Sequence, residues 1–257
     1  MVKFLLVTDI HYCDRDIPGA ERRNCLSPQK LKNVIKEHSE GCDFIIDLGD
    51  TADDLEGYGD QRVFMNEIAD IFKSSGLPYY CAIGNHDTSL PKYEITEILG
   101  MPHRYYSFET DDFTFIILDG NMNDKYKPYP EKEIIWQRTH LDPDQLLWLE
   151  KTVEESEKPI IVFCHELFLK EFYENDDDLV LRNRDEAVSI FEKSGKVIAA
   201  ISGHDHFGDY VYHNGIHYIT LQSLCLHEEE TCSVITIDDK NITVDGYGFQ
   251  KSLKVDI

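Results

Sequence analysis

The chain has 257 residues, which is enough for one large domain with a buried core, and we expect residues 1–257 to form a single domain. It is 42% hydrophobic and 29% charged, as in ordinary globular proteins. Its 49 acidic residues outnumber 25 basic ones and give a formal net charge of −24. This surface repels polyanions, so we expect no binding to a nucleic-acid backbone or to an anionic membrane.

The apolar runs predict five strands, at residues 4–7, 44–46, 79–83, 160–164 and 197–201. These runs are continuous rather than alternating, which indicates strands that are covered on both faces. The first run has only four residues, and a secretory or membrane segment needs about 7–15 or about 20. No targeting segment or membrane span is therefore predicted.

Helical spacing of apolar residues appears between the strands. Four helices are predicted, by Leu31, Val34 and Ile35, by Phe64, Ile68, Ile71 and Phe72, by Leu146, Leu149 and Val153, and by Ala187, Ile190 and Phe191. Ser27 and Pro28 are typical of the N-cap and first position of the first helix. Asp142 and Gln145 resemble a capping box at the start of the third helix.

Beyond about residue 210 the pattern changes to strands without helices. Residues 216–221, 233–237 and 242–247 are predicted strands, and residues 238–241 form a hairpin-like connection. This part is expected to be antiparallel. The whole chain therefore reads as α/β, with helices outside two packed sheets.

Two loops, residues 120–141 and 166–182, follow strands that end on the expected site side. The first contains Asn121, Asn123, Tyr126 and Tyr129. The second contains an acidic patch of Glu174, Asp176, Asp177 and Asp178. Long loops in such places either cover a substrate or are surface excursions, and for the acidic patch we favour the second interpretation.

Seven cysteines are present, an odd number, and no Cys-x-x-Cys motif occurs. A disulfide framework or a cysteine-rich zinc site is therefore disfavoured. Reduced thiols fit a reducing compartment, and we expect a cytoplasmic protein.

Each predicted strand ends in residues that bind metals. The five segments are Asp9-Ile10-His11, Gly49-Asp50, Gly84-Asn85-His86-Asp87, His165 and Gly203-His204-Asp205-His206. Singly, the short motifs occur by chance or mark turns, and His165 rests on its position alone. Together and in this order they predict one shared metal centre.

Seven side chains are candidate ligands: Asp9, His11, Asp50, Asn85, His165, His204 and His206. Asp9 and His11 are two residues apart, so on an extended segment both point to the same side, and the same holds for His204 and His206. If Asp50 bridges, two ions can share these ligands. Mixed His, Asp and Asn ligation favours manganese, iron or zinc over magnesium or calcium.

The charge of such a centre indicates its substrate. Two divalent ions bring four positive charges, while two aspartates and a bridging hydroxide remove three, which leaves about +1. A positive centre in a negative surface selects a small phosphate ester over a long polyanion.

The five motifs resemble those of the calcineurin-like metallophosphoesterase superfamily over roughly residues 3–210. The resemblance implies a four-layer α/β/β/α sandwich with two mixed sheets and a dinuclear metal site at the strand ends. It implies that Asp9, His11, Asp50 and His206 hold one metal and that Asp50, Asn85, His165 and His204 hold the other. It also implies that His86 faces the phosphate as a catalytic residue, where it either stabilises charge or protonates the leaving group, and that Asp87 orients His86.

A finer resemblance covers residues 183–187, 203–208 and 215–217, together with Tyr210. These are similar to manganese-dependent ADP-ribose/CDP-alcohol diphosphatases, and class III cyclic nucleotide phosphodiesterases share the core motifs. The expected function is hydrolysis of a small nucleotide-type phosphodiester or pyrophosphate by a hydroxide bridging two metals. The alternatives are a phosphomonoesterase or protein phosphatase of the same superfamily, a nuclease, which the acidic surface disfavours, and a catalytically silent binding scaffold.

Residues that would hold the organic part of the substrate are less clearly marked. Six side chains lie near the ligand motifs in sequence: Tyr12, Arg15, Arg22, Arg23, Phe207 and Tyr210. An aromatic ring stacks on a base and an arginine holds a second phosphate. Solvated arginines and core aromatics explain the same residues equally well.

Overall fold

A computed structural model of the chain describes residues 1–16, 21–54, 59–128, 139–171 and 178–257. The described strands are β1 Val2–Val7, β2 Phe44–Asp47, β3 Tyr79–Cys81, β4 Tyr106–Glu109, β5 Thr114–Ile117, β6 Ile160–Phe163, β7 Val197–Ser202, β8 Phe207–His213, β9 Ile216–Gln222, β10 Cys232–Ile237, β11 Asn241–Tyr247 and β12 Leu253–Asp256. The described helices are α1 Ser27–His38, α2 Gln61–Ser74, α3 Lys92–Leu99, α4 Pro143–Glu155 and α5 Arg184–Ser194. Two 3₁₀ turns cover Asn24–Leu26 and Asp87–Ser89.

The strands form two mixed sheets of six strands each. In the first sheet the order is β12-β11-β10-β1-β2-β3, and β1, β2 and β3 run parallel. In the second the order is β4-β5-β6-β7-β9-β8, and β5, β6, β7 and β9 run parallel. Parallel neighbours end at the same edge of a sheet, so the two parallel sets define where polar side chains can converge.

Alternation along the strands divides the apolar side chains into three layers. Phe4 and Leu6 of β1 pack between the sheets, where Phe4 makes edge-on contact with Phe115 and Phe163 of the second sheet. Leu5 and Val7 of β1 face α1 and α2 instead. Helices α4 and α5 pack on the outer face of the second sheet. The predicted α/β/β/α sandwich is thereby confirmed.

The four predicted helices are present, with one difference at a helix start. Ser27 begins α1 but does not cap it, because its hydroxyl donates to the carbonyl of Ile10 at 2.6 Å. Asp142 caps α4 by accepting from the backbone of Gln145 at 3.2 Å. Helix α3 was not predicted, since only Ile95 and Leu99 of its eight residues are buried.

The strand at residues 216–221 does not belong to a C-terminal antiparallel unit, as the sequence suggested. It is β9, which runs parallel to β7 and antiparallel to β8 in the second sheet. The antiparallel extension of the first sheet starts later, with β10. A local sequence pattern does not record which sheet a strand joins.

The two predicted loops lie only partly within the described residues. Tyr129 and the acidic residues Glu174, Asp176 and Asp177 lie outside the described residues. Asp178 is described and pairs with Arg182 at 2.7 Å. None of the described helices is long and apolar enough to cross a membrane.

Candidate metal centre

The seven predicted ligands follow the carboxyl ends of parallel strands in both sheets. Asp9 and His11 follow β1, Asp50 follows β2 and Asn85 follows β3 in the first sheet, while His165 follows β6 and both His204 and His206 follow β7 in the second. The two sheets pack face to face, so these strand ends meet at one end of the sandwich. We refer to the seven residues as the ligand cluster. Apart from His206, all of them are buried.

The backbone at the ligand cluster adopts a rarely populated conformation. Four of its residues have positive φ: Asp9 at 53°, His11 at 47°, Asp50 at 55° and His204 at 69°. Among the described residues only three other non-glycine positions share this property. Left-handed backbone costs free energy in most residues and concentrates at functional sites. The fold therefore maintains an unfavourable backbone conformation at these four positions, where it directs the side chains into the ligand cluster.

Glycines let the ligand loops touch. A Cβ built on Gly84 would overlap the backbone nitrogen and side chain of Asp50, and one built on Gly203 would overlap the Thr8 hydroxyl. The first contact joins the loops after β2 and β3, and the second joins the loops after β1 and β7. Any larger residue at either position would push the ligands apart.

Two groups of donor atoms share the Asp50 carboxylate. Its Oδ2 lies 3.4 Å from His11 Nε2 on one side and 3.2 Å from His165 Nε2 on the other. Asp9 Oδ1 lies 3.1 Å from His206 Nε2. The donor atoms of Asp9, His11 and Asp50 form one compact group, and those of Asp50, His165 and His204 form another. The Asp50 carboxylate therefore lies between the two donor groups.

The inward atoms of the ligand cluster lack partners while the outward atoms are bonded. Asp9 Oδ1, Asp50 Oδ2, Asn85 Oδ1, His165 Nε2 and His204 Nε2 are buried without a hydrogen-bond partner among the described residues. By contrast, His165 Nδ1 contacts the Leu48 carbonyl at 2.9 Å, and Asp9 Oδ2 accepts from Thr8 at 2.7 Å. Unsatisfied buried polar atoms cost free energy unless a ligand completes them. This donor set fits two divalent cations.

Asp53, which the sequence analysis missed, orients two histidines. Its Oδ1 lies 2.8 Å from His11 Nδ1 and 2.7 Å from His86 Nδ1. Asn24 donates to its other oxygen at 3.0 Å. The spacing Gly49-Asp50-x-x-Asp53 is the sequence signal that could have identified this residue. A carboxylate behind a metal-binding histidine fixes its orientation and its tautomer.

The structure therefore corrects the expected contact between Asp87 and His86. Asp87 is fully buried, and its carboxylate accepts from the backbone amides of Gly84, Asp50 and Thr51 at 2.9–3.0 Å. It ties the loops after β2 and β3 together. The carboxylate beside the His86 ring belongs to Asp53, because adjacent side chains in the chain point in different directions.

Burial and charge set the protonation of the cluster. Burial lowers the pKa of His204 to about 3, so this ring is neutral and can donate a lone pair. Burial opposes a charge on His165, but the Asp50 carboxylate raises its pKa to about 10. Burial also opposes ionisation of Asp53, yet His11 and His86 hold the pKa of that carboxyl below its usual range. A cation at this centre would take over the role of the His165 proton.

A cavity of about 510 Å³ opens above the ligand cluster. Its described lining includes Asp50, Asn85, His204 and His206 from the cluster, together with Arg22, His86, Leu179, Asp205 and Phe207. The Arg22 guanidinium lies 3.8 Å from Asp53 Oδ2 and 3.2 Å from His11 Nδ1. Among the predicted contacts to the organic group, Arg22 and Phe207 reach this cavity.

The remaining candidates point elsewhere. The Tyr12 hydroxyl donates to Glu67 at 2.8 Å, and Arg15 pairs with Asp14 at 3.1 Å. The Tyr210 hydroxyl lies 3.0 Å from His217. Arg23 contributes a backbone bond to Cys225. These four residues are not part of the lining of the cavity above the ligand cluster.

This combination of a double sheet and two adjoining donor groups defines a phosphoesterase of the dinuclear metal class. The chain belongs to the calcineurin-like phosphoesterase family, whose sequence profile matches residues 2–208. The predicted family is thereby confirmed.

Individual relatives match this chain at low identity. The chain is 23% identical to a manganese-dependent ADP-ribose/CDP-alcohol diphosphatase of Arabidopsis thaliana, over 87% of this chain and 86% of the relative. It is 22% identical to a 3',5'-cyclic-nucleotide phosphodiesterase of Nostoc sp., over 91% and 82%. The structure matches that of a dimetal phosphatase from Danio rerio with a TM-score of 0.83 and 16% identity, over 99% and 98% of the chains.

Proposed function

We propose that the protein hydrolyses a small nucleotide-type phosphodiester or pyrophosphate with the help of two divalent metal ions. The observation that carries this proposal is the pair of donor groups joined through Asp50, with inward atoms that lack partners among the described residues. Its membership of the calcineurin-like phosphoesterase family supports the reaction class.

Asp9, His11, Asp50 and His206 are proposed to hold one ion, and Asp50, Asn85, His165 and His204 the other. When bound, such ions polarise a phosphate ester and make water a better nucleophile. Manganese, iron and zinc suit the mixed nitrogen and oxygen donors, and manganese is the metal in the name of the Arabidopsis relative.

His86 is proposed to protonate the leaving oxygen. It lines the cavity, its side chain is 17% exposed, and Asp53 engages its Nδ1, which leaves Nε2 for the substrate. A histidine held in this way on the wall of the cavity can serve as a general acid. Asp87 is proposed to act through the backbone, as a positioning residue that holds the loops of Asp50 and His86.

Water is the proposed nucleophile. The described lining of the cavity contains neither serine nor cysteine, so neither of these two nucleophiles faces the site. A phosphorylated enzyme intermediate should therefore not form. The size of the cavity, about 510 Å³, falls in the range of pockets that bind small molecules.

The seven cysteines of the described structure are free thiols, which supports a reducing compartment such as the cytoplasm.

The deciding experiment strips the protein with a chelator and reloads it with manganese, iron or zinc. Each form is assayed with nucleotide diesters, pyrophosphates such as ADP-ribose, and matching monoesters. We expect metal-dependent hydrolysis with a preference for diesters or pyrophosphates. A preference for monoesters would favour the phosphomonoesterase alternative. Tight metal binding without hydrolysis of any ester would favour a binding scaffold.

A further inference from the structure

A second cavity of about 410 Å³ adjoins the one above the ligand cluster. Phe207 lines both cavities. The second cavity runs along β8 and is also lined by the segment from Gln250 to Leu253, which leads into the edge strand of the first sheet. We call it the β8 groove. A molecule with its phosphate at the ligand cluster would reach the β8 groove by passing over Phe207.

Phe207 presents an open aromatic face on a fixed backbone. The residue is 66% exposed although it directly follows His206 of the ligand cluster. Its carbonyl accepts from the Gln222 side chain at 2.8 Å, and β8 continues from it in register with β9. A single exposed apolar side chain is common on protein surfaces, and Phe207 is distinguished by lining two adjoining cavities.

The charge of the β8 groove is unsuited to a second phosphate. Its described lining contains two carboxylates, Glu171 and Asp209, against one ammonium, Lys251. The other polar groups are neutral, chiefly the amides of Gln222 and Gln250. This lining suits an uncharged group with hydrogen-bonding edges. Its volume is far larger than a phosphate and fits a nucleoside.

We propose that the β8 groove binds the nucleoside of the substrate and that its base stacks on Phe207. This inference rests on the proposed function, because it places the phosphate of the same molecule at the ligand cluster. Stacking of a base on an aromatic ring is tolerant of base identity. Phe207 thus favours nucleotides as a class rather than one particular base.

The test compares phosphates that differ only in the attached group. Adenosine 5'-monophosphate, ribose 5-phosphate and inorganic phosphate are titrated into the manganese-loaded protein by calorimetry. The same compounds are used as competitive inhibitors of aryl phosphodiester hydrolysis. We expect the nucleotide to bind about 5- to 150-fold more tightly than ribose 5-phosphate, the range that stacking provides.

Substitutions assign that ratio to Phe207. Phe207→Ala should bring the ratio close to one and leave the affinity for inorganic phosphate unchanged, whereas Phe207→Tyr should preserve the ratio. Tyr212→Ala is the matched control, because Tyr212 is 61% exposed on the same strand and lines neither cavity. The control should leave the ratio as in the unmodified protein.

Three results would overturn the proposal. The first is a ratio near one in the unmodified protein, and the second is a ratio that Phe207→Ala does not change. The third is a Lys251→Ala variant that loses nucleotide affinity while Phe207→Ala keeps it, which would indicate an anion site. Calorimetry does not require turnover, so these results are distinct from a failure of the proposed hydrolysis.

Discussion

The ligand cluster and the rim above it are built in opposite ways. In the cluster, six of seven side chains are buried, their outward atoms are bonded, and glycines bring their loops into contact. The rim consists of Arg22, His86 and Phe207, whose side chains are partly or largely exposed. The cluster permits almost no adjustment, whereas the rim can change without disturbing the packing.

This difference separates two kinds of information. The chemistry that a family shares requires fixed donor geometry, and the cluster fixes it through both sheets. Substrate choice requires surfaces that can vary, and loops and strand edges supply them at the rim. Relatives with low identity to this chain carry the names of a diphosphatase and a cyclic nucleotide phosphodiesterase.

The largest effect is expected from Asp50→Ala, which removes the carboxylate shared by both donor groups. Bound metal should be lost from both sites, and hydrolysis should fall by about 10³-fold or more. Elemental analysis after dialysis and a diester assay measure the two losses. Asp54→Ala is the control, because Asp54 lies on the same loop but lines a different cavity. A variant that kept both ions would contradict the shared role.

Next in size is His86→Ala, which changes the rim and leaves the cluster intact. The rate should fall by about 10²–10⁴-fold, the range for a general acid, while the metal content stays the same. Esters with better leaving groups should lose less, since they need less help from a proton. Loss of metal in this variant would show that His86 belongs to the ligand cluster and not to the rim.

A smaller effect is expected from Asp53→Asn, because Asp53 contacts both regions. The variant keeps the shape but loses the charge beside His11 and His86. Metal affinity and rate should each fall by about 10- to 100-fold. Metal titration and steady-state kinetics test this, with Asp54→Asn as the control. An effect on the rate alone would mean that Asp53 serves only the rim.

The smallest effect concerns His217, which lies in β9, away from both regions. Burial lowers its pKa, and its ring contacts the Asp256 carbonyl at 3.1 Å. Below the ordinary histidine pKa of about 6.5, His217 is protonated in the unfolded chain but stays neutral in the folded chain. The free energy of unfolding therefore falls as the pH falls.

His217→Gln should remove this part of the acid sensitivity. Urea unfolding of both proteins between about pH 5 and 7 gives the difference in slope. His213→Gln, at an exposed histidine on β8, is the control. Parallel pH profiles for the His217 variant and the unmodified protein would show that the ring does not contribute.

The sequence predicted those features that depend on a local pattern of residues. It did not predict features that depend on which distant segments pack together. Continuous apolar runs predicted β1, β2, β6 and β7, and motifs at their ends predicted the ligand cluster. Asp53 was missed because one aspartate after a Gly-Asp pair does not reveal which histidines it will face. Helix α3 was missed because eight residues with two buried side chains give little periodicity. The place of β9 depends on long-range pairing, which no short segment encodes.

The left-handed backbone at Asp9, His11, Asp50 and His204 limits how this protein can change over evolutionary time. Asparagine, aspartate, histidine and glycine tolerate that conformation better than other residues. Substitutions at these four positions are therefore limited to a few residue types. Some of these, such as glycine, supply no donor atom. A descendant could lose its chemistry in a single step and still keep its shape, which is a direct path from an enzyme to a silent homologue.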